Sequence, residues 1–185
     1  MRDIGALQND PVGERLHQAK QPVSVLAGSY GHPVHPILVT VPIGAWIGSL
    51  GFDIASRVAD EADVFAKGAF WLIALGVLGA LVAALAGFLD LFAIPTGTPA
   101  FRTGLVHMSL NLVVVVLFAV SWLIRQGDID SPAATSGGLI ALSAGALVLL
   151  AVSGWLGGRL SYRYGVRVAD ESTQAEGYVD RRGGD

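Results

Sequence analysis

The chain has 185 residues, 52% of them hydrophobic and only 15% charged, with a mean hydropathy of +0.57. Soluble domains carry about 25% charged residues, so much of this apolar surface must face lipid. The absence of cysteine excludes disulfides, thiolate zinc sites, cysteine-ligated iron–sulfur clusters and covalently attached c-type haem within the chain. A net charge of −3 argues against nucleic acid as a partner.

Residues 1–30 read as a polar tail. They hold Arg2, Asp3, Asp10, Glu14, Arg15 and Lys20 and no apolar stretch long enough for the core of a signal peptide, so no cleavage is expected. Crossing about 30 Å of hydrocarbon takes roughly 20 apolar residues in a helix that satisfies its own backbone, and four stretches qualify. The first covers about 36–56, opening at Pro36 and kinked at Pro42. The second covers about 68–93 and is stopped by Pro95, the third covers 104–124 between Arg102 and Arg125, and the fourth covers 136–158 inside an uncharged interval from Asp130 to Arg159. Short connections make consecutive helices antiparallel. The expected fold is an all-α membrane protein, an antiparallel bundle of four transmembrane helices over residues 31–168, followed by a disordered tail at 169–185.

Small residues recur at helical spacing in the second helix (Gly76, Gly79, Ala83, Gly87) and the fourth (Ser143, Gly154, Gly158), which predicts close helix packing. They are not phosphate loops, because no strand precedes them and no Lys follows at Walker spacing. Orientation follows from Lys and Arg at the helix ends. Arg2, Arg15, Lys20, Arg102, Arg159, Arg163, Arg167, Arg181 and Arg182 fall on one side, and only Arg57, Lys67 and Arg125 on the other. Both termini are therefore expected in the cytoplasm, with the protein multi-pass in the cytoplasmic (inner) membrane.

Few groups can carry chemistry. His17 reads as a solvated tail residue, while His32 and His35 lie in HPVHP before helix one and His107 lies in helix three. The topology gathers His32, His35, Asp90, His107 and Arg159 at the cytoplasmic end, with Arg102 beside them, and leaves the outer half apolar except for Asp53. Charged groups inside a membrane are candidate functional sites, yet each has a plain structural reading. Asp90 could be salt-bridged to Arg159 or Arg102, His107 hydrogen-bonded to Asn111 one turn along, and the HPVHP prolines a stiff helix start.

The motifs GHPVHPILVTVPIGAW (31–46), AGFLDLFAIPTGTPAFRTGLVHMSLN (86–111) and GGRLSYRYGVRV (157–168) closely resemble the DUF2231 family of predicted four-helix bacterial membrane proteins. Domains of this type look to be fused in some members to Rieske or cytochrome c modules, so the resemblance implies electron transfer. The matching positions are His32, His35, Asp90, His107 and residues 157–162; many relatives look to have histidine where this chain has Tyr164.

The leading expectation is a b-type haem or quinone-linked electron-transfer component. His35 and His107 would ligate iron, with Arg102 or Arg159 near the propionates. With no histidine in the outer half, a single cofactor near the inner face would pass electrons to quinone or a redox partner protein. A proton- or ion-coupled transporter or channel is the alternative, using Asp90 and the histidines as relays. It would lack an inverted repeat within the chain, which a homodimer could supply. A third reading is a non-catalytic membrane subunit or assembly factor. No GxSxG, HExxH or kinase-type motif supports a soluble enzyme class.

Overall fold

The computed structural model describes residues 11–131 and 133–179; Arg2, Asp3, Asp10, Arg181 and Arg182, used above for orientation and tail composition, lie outside the described residues. Helix α1 (Pro11–Lys20) precedes a tiny hairpin of β1 (Gly28–Ser29) and β2 (His32–Pro33). Then come α2 (His35–Ala55), α3 (Ala62–Ala93), α4 (Pro99–Arg125) and α5 (Gly137–Gly158), and finally the short α6 (Glu171–Ala175). Four helices, α2 to α5, are long and apolar enough to cross a membrane.

Local chemistry sets the ends of these helices. Helix α2 is interrupted at Val39, between His35–Leu38 and Thr40–Ala55, because Pro42 cannot donate to the Leu38 carbonyl and its ring crowds that group. Helix α4 begins at Pro99 rather than at 104, since Thr98 caps it by accepting from the Phe101 N–H at 3.1 Å and Pro99 suits the first helical position. Helix α3 begins at Ala62 rather than at 68, its extra turns carrying Asp63 and Lys67 at i, i+4. Helix α5 passes into a π-helical turn at Arg159–Arg163. Residues 171–178, expected to lack order, form α6 and a further 3-10 turn.

Helices α2 and α4 each pack beside α3 and α5, so they stand diagonally across the bundle from one another. They meet through side chains. The central core is Trp46, Ile73, Ala80, Val114, Phe118 and Ala146, with Trp46 and Phe118 stacked 4.4 Å apart and 7° from parallel. Large apolar side chains such as Trp71, Leu85, Leu112 and Val148 point outward, where a bilayer would cover them.

The small residues of α3 act as expected: Gly76 lies under the Trp46 ring, Gly79 against Val41 and Gly87 under the His35 ring. In α5 the packing face differs in part from the one expected. Ser143 faces inward as expected, but Gly154 meets open space, and Ala146, Ser153 and Gly157 complete the inward face.

The N-terminal segment is docked on the bundle end. Ala19 of α1 is buried with Ile94, Leu160 and Val166, the Arg167 N–H donates to the Ala19 carbonyl at 3.0 Å, and Lys20 Nζ donates to the carbonyls of Val168 and Ala169.

Candidate functional site at the tail end of the bundle

His35 opens α2 on a stiff path. Gly28, at φ +93°, makes the turn into the hairpin, where a Cβ would come within 2.2 Å of the His32 carbonyl oxygen. Pro33 and Pro36 then restrict the backbone on either side of Val34 and His35. The His35 ring is half-buried, and its Nδ1 lies 2.9 Å from the Ala83 carbonyl oxygen of α3. A carbonyl only accepts, so Nδ1 carries the proton in this contact, and Nε2 is the nitrogen left to meet another group.

His107 is held in the same way at the opposite corner of the bundle. Its Nδ1–H donates to the Ser153 carbonyl of α5 at 2.8 Å, with Ser153 Oγ 3.0 Å from the same nitrogen and itself donating to the His107 carbonyl at 3.1 Å. Asn111 Nδ2 donates to His107 Nε2 at 3.1 Å, as the sequence suggested. The two imidazole rings stand 6.4 Å apart, 88° from parallel. Each ring rests on a glycine of the adjoining helix: a Cβ at Gly87 would lie 2.8 Å from His35 Cε1, and one at Gly157 would lie 3.1 Å from His107 Cε1.

Asp90, near the same end of α3, pairs with neither Arg159 nor Arg102. Its partner is Arg167, whose Nε lies 2.8 Å from Asp90 Oδ1; the contact is an ion pair without hydrogen-bond alignment. Arg167 reaches it because the chain turns back after the π-helical segment, with Arg167 itself at φ +60°. The rest of its guanidinium is clasped by the carbonyls of Lys20, Ala27, Gly28 and Ser29. One buried arginine thus ties α3, the N-terminal segment and the C-terminal segment together. The sequence counted it only as a tail charge.

Arg159 is left for another role. Its guanidinium lies over the rings of Trp155 and Tyr164, at 5.9 and 5.4 Å from their centroids, and its Nε is buried without a hydrogen-bond partner. Arg102 is exposed on the first turn of α4, and His32 is exposed with Nδ1 3.4 Å from the Tyr30 carbonyl. Neither joins the imidazole pair.

The opposite end of the bundle is not uniformly apolar. Asp53 of α2, fully buried, accepts two hydrogen bonds from Arg125 of α4, at 2.7 and 2.8 Å. Thr135 Oγ1 adds a third at 2.9 Å, and Arg125 Nε donates to Ser121 Oγ at 3.2 Å. Ser56 Oγ accepts from the Thr135 N–H and donates to the Asp53 carbonyl, closing the network. Sequence reading placed Arg125 in a loop and left Asp53 unpartnered; a single acid and a single base at the same depth of two helices was the available signal.

The sequence model of the DUF2231 family, described as a predicted membrane protein, matches residues 31–170. No curated protein and no solved structure matches the chain.

Proposed function

The chain belongs to the DUF2231 family of predicted membrane proteins, and from that premise we propose that it is a membrane electron-transfer component holding one b-type haem between His35 and His107. The observation that carries this reading is the pair of imidazoles on diagonal helices, each with its Nδ1–H fixed to a backbone carbonyl. Such outer hydrogen bonds set the tautomer and ring orientation of metal-ligating histidines. The ring centroids lie 6.4 Å apart, close enough for both imidazoles to serve one group.

The ligand set suits a macrocycle better than a bare ion. The site offers two imidazoles and, among the described residues, no three metal-ligating side chains gather; a b-type haem would need only one or two protein ligands. When bound, the haem supplies one-electron chemistry. The protein's own part would be to offer the two Nε2 atoms as ligands, to hold both rings on Gly87 and Gly157, and to present Arg159, which has no carboxylate partner among the described residues, as a cation for acidic substituents. Asn111, which donates to His107 Nε2, would have to give up that contact for this nitrogen to serve as a ligand.

No histidine lies at the far end of the bundle, so electrons would enter and leave at the same end, to quinone or a redox protein; the lysine and arginine distribution favours the cytoplasmic side for that end. Transport is less well supported, because the Trp46–Phe118 stack and its apolar neighbours fill the centre between the two polar ends. A reduced-minus-oxidised spectrum of protein purified after haem-replete expression tests the proposal. Soret and α bands are expected. Folded protein without them overturns it and leaves the non-catalytic membrane subunit as the reading.

A further inference from the structure

The contacts across the bundle come in matched pairs. His35 and His107, Trp46 and Phe118, Ser49 and Ser121, and Asp53 and Arg125 are each 72 residues apart, and three of these pairs touch or face each other across the bundle at successive depths. Ser49 and Ser121 are both fully buried.

Helices α3 and α5 repeat the pattern at an offset of 70 residues. Ala83 and Ser153 accept from the two histidines, Gly87 and Gly157 meet the two imidazole rings, and Ile73 and Ser143 are both fully buried. Gly76 lies under Trp46, and its counterpart Ala146 packs in one cluster with Phe118. The smaller offset means the second copy is two residues shorter between its helices. An operation that exchanges α2 with α4 and α3 with α5 therefore maps ring onto ring, anchoring carbonyl onto anchoring carbonyl and cleared helix surface onto cleared helix surface. Because α2 and α4 run in the same direction, the axis lies along the bundle, as in parallel-repeat membrane proteins.

We infer that the chain is two copies of one helical hairpin, residues 35–93 and 107–163, packed about a pseudo-two-fold axis, and that the Asp53–Arg125 pair commits these unlike halves to each other. Each hairpin is the partner surface of the other. Pairing of two first hairpins would set Asp53 against Asp53, and pairing of two second hairpins would set Arg125 against Arg125, in both cases a buried like-charge contact. Opposite charges at equivalent positions permit only the mixed pair. The duplication stands independently of any cofactor.

Charge exchange in the full chain tests the role of the pair. Asp53→Arg and Arg125→Asp alone should each abolish monodisperse, folded protein in detergent. The double exchange should restore it, because Arg at 53 finds Ser49 one turn back where Arg125 now finds Ser121. A double variant as defective as the singles overturns the pairing role. A second measurement tests the repeat itself. Phe118→Trp should lower the melting temperature, and Ala146→Gly, which recreates the clearance of Gly76, should reverse the loss. No rescue by Ala146→Gly overturns the duplication.

Discussion

Asp53 and Arg125 form a bidentate ion pair at 2.7 and 2.8 Å, sealed in the protein interior with side-chain exposures of 0% and 7%. Its desolvation is offset only because both charges are also hydrogen-bonded, to Thr135 and Ser121. Removing one partner is therefore far worse than removing both. Asp53→Ala is expected to cost about 3–5 kcal/mol by leaving Arg125 uncompensated, whereas Asp53→Leu combined with Arg125→Leu should retain most of the wild-type stability. Denaturation in detergent micelles measures the difference.

Arg167 predicts a second, local effect. Its guanidinium joins Asp90 to the carbonyls of residues 20, 27, 28 and 29. Arg167→Ala should release the N-terminal segment without unfolding the four long helices. Trypsin should then cut after Lys20 much faster than in wild type, with helical circular dichroism retained. An unchanged cleavage rate would mean that the apolar contacts of Ala19 suffice to hold the segment.

The glycines under the imidazoles predict graded losses at the site. Alanine at 87 brings a methyl within 2.8 Å of the His35 ring, and alanine at 157 comes only to 3.1 Å of the His107 ring. Glycine to alanine also favours a helix by up to about 1 kcal/mol, so neither variant should unfold for local reasons. Gly87→Ala should lose more haem absorbance per folded protein than Gly157→Ala.

Acid should act on the N-cap of α6 later than on an ordinary carboxylate. Asp170 accepts from the Thr173 N–H and from Ser172 Oγ, both at 2.9 Å. These bonds, the Thr173 backbone bond foremost, hold its pKa well below the usual range. A depressed pKa stabilises the folded form above the unfolded value of about 3.9, and that contribution is lost as pH falls through the lower folded value. The Thr173 amide resonance should accordingly keep its position at pH 4 and shift only in stronger acid. A midpoint near 3.9 would contradict the cap.

Much of this architecture is legible in the sequence, and the failures have physical causes. Length and hydropathy mark all four spans, since backbone satisfaction in lipid allows little else. The Asn111–His107 bond follows from i, i+4 spacing. The Asp90–Arg167 pair does not, because Arg167 lies beyond a π-helical turn and at a positive φ that no periodicity signals. The Asp53 network stayed hidden for a different reason: Arg125 sits at a helix end, where a charge is cheap, and only the diagonal packing of α2 and α4 brings it to Asp53. The repeat is faint in the sequence because its few defining positions are spread among aliphatic residues that differ between the two hairpins.

Whether two imidazoles share one iron is asked most directly by electron paramagnetic resonance of the oxidised protein, in wild type and in His35→Ala and His107→Ala. The account predicts a low-spin ferric signal from one haem per chain, lost or converted to high spin in both variants. Protein that carries no haem, or a low-spin signal unchanged by both substitutions, would contradict it.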